Sequence, residues 1–162
     1  MKLIPLTRGL FAKVDDADFE WLSQFKWHTD LKPHTCYAQR SVKRTENGKK
    51  VRYGMRMHVA ILGKREGFEI DHINNDGLDN RRENLRFCTR SQNNMNRKPQ
   101  RLGRRGVTYD ASKKKWAAQI QIDRQNILIG RFTNPEDAAH AYDATARELF
   151  GQFAKLNFPE AA

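Results

Sequence analysis

Up to about residue 65, apolar positions come in short runs set between turn signals. MKLIPL, GLFAKVD, HTCYAQRSV and KKVRYGMRMH read as strands. The Asn-Gly step in ENGKK is a hairpin turn signal, and it predicts pairing of Ala38–Lys43 with Lys50–Met57. DDADFEWLSQFKW has helical spacing at Phe19, Leu22 and Phe25, with Asp15 or Asp16 as the cap. MHVAILG is apolar at Met57, Val59, Ala60, Ile61 and Leu62, a short helix closing at Gly63.

The pattern then turns polar. Phe68 to His72 is a strand ending in Asp71 and His72, and Asn74 to Asn80 is a turn-rich loop containing Gly77. Asn84 to Cys88 is a second strand, and Ser91 caps a short helix carrying Asn93 and Asn94. A hairpin followed by a helix would bring Asp71, His72 and Asn93 together. MNRKPQRLGRR, residues 95–105, has the composition of a linker.

From Gly106 the pattern is regular again. VTYD, KWAAQIQID and NILIGRF are three short strands. In the second, Trp116, Ala118, Ile120 and Ile122 alternate with Ala117, Gln119, Gln121 and Asp123, so one face is apolar and one polar. TNPEDAAHAYDATARELFG follows as a helix. Asn134 caps it, Pro135 suits its first position, Glu136 and Asp137 favour its N-terminal dipole, and Gly151 ends it. Ala138, Ala141, Tyr142, Thr145, Ala146 and Leu149 form its predicted inward stripe. The order β-β-β-α leaves one sheet face uncovered. The expected fold class is α+β, divided as 1–96, a basic linker at 97–105, and 106–162.

Composition narrows the partner. The chain of 162 residues holds 30 Lys plus Arg against 19 Asp plus Glu, a net charge of +11. That excess points to a polyanion, with nucleic acid first and a ribosomal or membrane surface equally compatible on charge alone. Between Arg81 and Arg105 the only acid is Glu83. With 3 Trp, 4 Tyr and 9 Phe, the chain has the means for aromatic-rich cores. The 2 cysteines, Cys36 and Cys88, form no CxxC pair, which argues against a thiolate zinc site or a disulfide framework. No apolar run approaches the roughly 18 residues of a membrane span, and no signal peptide opens the sequence. A soluble, cytoplasmic protein is expected, with no membrane partner.

The segment IDHINNDGLDNRRENLRFCTRSQNN, residues 70–94, resembles the HNH nuclease family and its ββα-metal fold. The matching elements are the Asp71-His72 pair, LDNRRENLR, and Asn93 in SQNN. The resemblance implies Asp71 and Asn93 as ligands of one divalent cation, His72 as general base and Asn84 as the residue that orients it. The separations of His72 from Asn84 and of Asp71 from Asn93 fit the subgroup related to phage homing nucleases. This implies a phage-infected or prophage-bearing bacterial cell as the setting. The chemistry is coherent. A histidine is a competent base at neutral pH, and hard oxygen donors suit Mg²⁺ or Mn²⁺ better than zinc. The competing reading is a polar loop whose Asn and Asp residues make turns. Asn80, Asp79 and Asn94 read as turn and cap residues, and His58 as structural. Arg81, Arg82, Arg86 and Arg90 are either phosphate contacts or a solvated face.

RGVTYD, KWAAQIQI, ILIGRF, AAHAYD and LNFP together resemble the AP2/ERF DNA-binding domain over nearly the whole C-terminal stretch. The resemblance implies that the exposed sheet face enters the major groove with the helix behind it. The matching exposed positions are Arg105, Gly106, Gln119, Gln121, Leu128 and Arg131, with Arg104 beside them as a further basic contact. Gln119 or Gln121 can pair with adenine, and Arg105 suits phosphate. Thr108 and Asp110 stand where the plant pattern has arginines, so the plant target does not carry over. Trp116, Tyr142 and Phe132 read as core. IPLTRGLFAKVDDADFEWLSQFKW resembles the N-terminal part of phage HNH proteins. The leading expectation is a site-specific endonuclease of the homing or phage-associated type, monomeric and nicking double-stranded DNA. The alternative is a DNA-binding regulator with an inactive nuclease region. An RNA-binding or ribosome-associated role is disfavoured by the C-terminal resemblance.

Overall fold

The computed structural model describes residues 1–96, 103–122 and 125–159. The chain is α+β and forms two compact units, Met1–Arg90 and Ser91–Ala162. Most of the basic stretch read as a linker, residues 97–102, lies outside the described residues, as does Asp123.

In the first unit, β1 (Lys2–Pro5) pairs antiparallel with β2 (Phe11–Val14). Helix α1 (Asp16–Ser23) follows, and then a three-stranded antiparallel sheet: β3 (His28–Lys32), β4 (Thr35–Glu46) and β5 (Lys49–Arg56). Helix α2 (Met57–Leu62) leads into a two-stranded hairpin, β6 (Glu69–His72) with β7 (Leu85–Cys88). Ile4, Ala12, Val14, Leu22, Trp27, Ala38, Met57 and Leu85 form the core. The Trp27 indole buries its one polar atom there by donating from Nε1 to the Leu22 carbonyl, at 2.9 Å.

The Asn-Gly hairpin is present and longer than predicted. Asn47 and Gly48 have φ of 49° and 75°, the paired positive values of the turn that matches strand twist. Helix α1 is shorter than predicted and stops before Phe25. The Phe25 ring is instead covered by the Arg40 guanidinium, 3.7 Å from its centroid. Asp15 sits at the N-cap, but its side chain caps nothing in α1; its Oδ2 accepts from the Arg82 backbone N–H at 2.8 Å. Strand β3 is an addition. Its residues HTDLK are too polar for a strand signal, and pairing with β4 plus the Thr29–Thr7 hydrogen bonds supply what the side chains lack. Gly63 ends α2 with φ of 78°, as predicted.

Helix α3 (Arg90–Met95) begins at the division between the units. Ser91 therefore lies inside its first turn rather than capping it. The second unit continues with β8 (Val107–Asp110), β9 (Lys115–Ile122) and β10 (Gln125–Phe132), in sheet order β10-β9-β8. Helix α4 (Pro135–Phe150) packs on this sheet. Its cap is the predicted one: Asn134 Oδ1 accepts from Glu136 N–H at 2.6 Å.

The inward stripe of α4 is rotated from the prediction. Ala138, Ala139, Tyr142, Asp143 and Ala146 are buried, whereas Leu149 is 48% exposed. The sequence hides this because Asp143 looks like a surface residue. Its carboxylate accepts from the Asn157 backbone N–H (2.8 Å), Asn157 Nδ2 (3.0 Å) and the Phe158 N–H (2.8 Å), pinning the LNFP run. Gly106 permits a close approach at the start of β8. A Cβ there would lie 2.1 Å from the Tyr142 ring, and φ is +69°.

Candidate active site

Cross-strand pairing in the β6–β7 hairpin sets Asp71 opposite Arg86 and His72 opposite Leu85. Asp71 and His72 are both buried. A buried carboxylate needs a counter-charge, and Arg86 provides one. Its Nε and Nη2 donate to Asp71 Oδ2 at 2.9 and 2.8 Å, in an ion pair almost closed to solvent.

The connection between the strands is polar but not loose. Asn74 Oδ1 accepts from Asp76 N–H (2.8 Å), and Asp76 Oδ1 accepts from Leu78 N–H (3.0 Å). Gly77 sits where a Cβ would lie 2.3 Å from the Cys36 carbonyl oxygen, so the loop closes onto β4. Lys13 N–H donates to Leu78 O and Asn80 N–H to Lys13 O, both at 2.8 Å, tying the loop to β2. Asp79 is 1% exposed. It is held by Arg81 through Nε and Nη2, each 2.8 Å, and by Asn74 Nδ2 at 2.9 Å. The Arg81 bond, first, holds the Asp79 carboxyl below its ordinary pKa against the opposing effect of burial.

Asn84 is placed in this hairpin, but its side chain serves the loop. Oδ1 accepts from Asn74 N–H (3.0 Å), and Nδ2 donates to Asn74 Oδ1 (3.0 Å) and Asp79 O (2.8 Å). The amide that faces the His72 ring belongs to Asn80, whose Oδ1 is 3.5 Å from Nε2. The expectation that the Asn84 side chain holds the imidazole is corrected accordingly, because its amide is committed to Asn74 and Asp79. Aromatic rings complete the surround. His58 packs edge-on to His72 with centroids 4.9 Å apart, and Tyr37 lies 5.8 Å from His72 and 5.6 Å from His58.

Burial is the main influence on both imidazoles. It pushes His72 below its ordinary pKa, opposed by the Asn80 contact and by the charges of Asp71, Asp76 and Asp79. It pushes His58 down to about 3, helped by His72 and Arg56. Both rings are therefore neutral at pH 7, as a proton acceptor must be. Cys88, behind the hairpin, has its thiol pushed up to about 11 by burial and by Asp71 and Glu69. That makes it a poor nucleophile.

The other predicted residues are placed as follows. Arg82 gives its fork to Asp18, with two bonds of 2.8 Å, while half its side chain stays exposed. Arg81 also pairs with Glu83. Arg90 is exposed at the start of α3, and Asn93 is half-buried on the same helix. Arg104 pairs with Glu136 at 2.7 Å, and Arg105 Nε donates to the Tyr142 hydroxyl at 3.0 Å. Arg131 reaches Asp110 Oδ2 at 3.4 Å. On the sheet of the second unit, register sets Gln119 opposite Leu128 and Gln121 opposite Asn126. These four lie on the face away from α4, together with Arg131 and Thr108 opposite Ala117. Tyr142 is core as expected, whereas Trp116 and Phe132 are half-buried.

Sequence reasoning missed Asn80, Tyr37 and the Asp71–Arg86 pairing. The pairing was within reach, since the two strands fix which residues stand opposite. Asn80 and Tyr37 carry no local signal.

The donors present suit a hard divalent cation. The Asp71 carboxylate already attracts a cation, Arg86, and the amide oxygen of Asn93 is a hard donor. Among the described residues no three or more His, Cys, Asp or Glu gather as a metal group. Water and phosphate oxygens would thus supply much of the coordination, the usual arrangement for Mg²⁺.

The geometry defines a ββα hairpin site in one unit and a helix-backed three-stranded sheet in the other, and comparison with known proteins bears out both resemblances. Residues 62–95 match the model of an HNH endonuclease family. The chain is 28% identical over 151 residues to an uncharacterized HNH endonuclease of Acanthamoeba polyphaga mimivirus, covering 93% of this chain and 76% of that protein. The second unit is similar to plant proteins. It is 44% identical over 57 residues to an ethylene-responsive transcription factor of Arabidopsis thaliana, and 47% identical over 47 residues to one of Nicotiana tabacum. This chain spans 31% and 21% of those two proteins. No solved structure matches. Similarity of this kind supports nuclease activity for the hairpin and an AP2-like DNA-binding module beyond it.

Proposed function

We propose that the protein is a site-specific, divalent-metal-dependent endonuclease that nicks double-stranded DNA, of the homing or phage-associated type. The observation that carries the reading is the buried Asp71-His72 step at the end of β6, with the imidazole kept neutral by its surroundings. His72 takes a proton from the attacking water. Water oxygen bonds to phosphorus, and the bond to the 3′-oxygen breaks. Asn84 and Asp79 keep the hairpin loop in place around that base. Asp71 and Asn93 would hold Mg²⁺ or Mn²⁺, which neutralises the leaving oxygen when bound. The domain limits 1–96 and 106–162 divide cutting from recognition, with residues 97–105 between them following the backbone. In the second unit, Gln119 and Gln121 read bases, while Arg104, Arg105 and Arg131 contact phosphates. Arg81, Arg82, Arg86 and Arg90 give the first unit a cationic surround. One such centre cuts one strand, so a monomer nicks.

A second reading has one observation in its favour. Arg86 occupies an oxygen of Asp71, as it would in a DNA-binding regulator whose nuclease region is inactive. A supercoiled-plasmid assay with Mg²⁺ separates the two. The nuclease reading expects nicking by the wild type, and His72→Ala lowers it at least a hundredfold with DNA binding retained. Binding without nicking by the wild type on a selected target would favour the regulator. Binding in either case falls steeply with salt.

A further inference from the structure

Which nitrogen of His72 is basic is decided by Asn80. This side chain is wholly buried, and its backbone N–H is fixed on Lys13 O. Its amide can be oriented without ambiguity. Asn80 Nδ2 donates to the Leu78 carbonyl at 3.1 Å, and a carbonyl accepts only from the nitrogen end. The oxygen end is therefore the one turned toward His72 Nε2, at 3.5 Å. An amide oxygen cannot donate. Nε2 must carry the hydrogen, and a neutral imidazole has only one. The lone pair is left on Nδ1.

The aromatic neighbours favour holding the ring over relaying its proton. His58 meets it edge-on at 81°, and Tyr37 at 50°. His58 Nδ1 is buried with no hydrogen-bond partner among the described residues, so no hydrogen bond carries a proton onward through that nitrogen.

We propose that Asn80 is the positioning residue that locks His72 in its Nε2–H tautomer, making Nδ1 the atom that accepts the proton from water. Only the final clause rests on the nuclease reading. Asn84, two bonds back, supports the loop from which Asn80 acts: its Nδ2 holds the Asp79 carbonyl, next to Asn80.

The test is long-range ¹H–¹⁵N correlation of the ring nitrogens in the full-length, ¹⁵N-labelled protein at neutral pH. His72 signals are assigned by their loss in His72→Gln. In the wild type, Nε2 is expected in the protonated, pyrrole-like range and Nδ1 in the bare, pyridine-like range. Asn80→Asp keeps an accepting oxygen and should keep this pattern. Asn80→Ala should lose it, giving a tautomer mixture and at least a tenfold slower nicking rate with plasmid binding unchanged. A wild-type spectrum showing Nδ1–H, or a mixture, overturns the proposal, even if Asn80→Ala does not fold. So does an unchanged pattern in Asn80→Ala. A wild type that shows the tautomer but never nicks upholds the lock, and hydrolysis is what falls.

Discussion

The two units bury different things. Among the described residues, the first buries Asp18, Thr29, His58, Asp71, His72, Asp79, Asn80 and Asn84; the second buries Asn96 and Asp143. The second unit is closed by alanines of α4 against β9, a dry contact that small side chains make possible. The first is closed around paired charges and amides: Arg81 with Asp79, Arg82 with Asp18, Arg86 with Asp71. Apolar packing tolerates adjustment, whereas a polar interior holds only when its members are satisfied. That exactness is what a site needs to hold a base in one orientation, and it makes the first unit the more fragile of the two.

The largest effect expected from breaking this contrast is on stability. Asp79→Ala leaves the Arg81 guanidinium and the Asn74 amide without their partner and should cost the first unit about 3–5 kcal/mol. Hydrogen exchange resolved by peptide should show early opening through residues 1–90, with residues 103–159 protected as before. Equal loss of protection in both units would refute the division of labour.

Acid offers a smaller, graded version. His58 titrates at about 3 when folded and near 6.5 when unfolded. Below pH 6.5 the unfolded chain therefore binds a proton that the folded chain refuses. The stability this site carries is full above pH 6.5 and declines as pH falls toward 3. The carboxylates of Asp79 and Asp18 are lowered by their arginines, so their contributions fade only below 3.8. Denaturant titrations from pH 7 to 4 should show the first unit weakening across this range, and His58→Phe should flatten the curve. A flat wild-type curve would show that His58 is not held neutral by burial.

The smallest stability change belongs to the sheet face of the second unit. Gln121 is exposed, and Gln121→Ala should shift unfolding by no more than about 0.5 kcal/mol. Discrimination at one A·T pair should fall by about 1–3 kcal/mol in competition against a selected site. Unchanged selectivity would move base reading to other residues of that face.

How far the sequence could be read follows the same division. The second unit was legible almost strand by strand, because alternation in KWAAQIQI and the Asn-Pro start of α4 are local signals. The exception, Asp143, is buried for a reason that lies fourteen residues away, at Asn157. In the first unit the hairpin turn at Asn47-Gly48 and the Asp71-His72 strand were legible for the same local reason. Asn80 was read as a turn residue because its role depends on β2, through Lys13. Strand β3 escaped because an edge strand can be specified by its partner rather than by its own side chains. Motif spacing pointed to Asn84; which amide meets the imidazole was decided by loop geometry that no spacing encodes.

Asp143 also bears on how the protein can be handled. Three of the donors that neutralise its buried carboxylate belong to Asn157 and Phe158, near the very end of the chain. A truncation ahead of Asn157 would strand a negative charge beneath α4. What looks like a dispensable tail is therefore the clasp of the second unit, and tags or fusions at that end belong after Phe158.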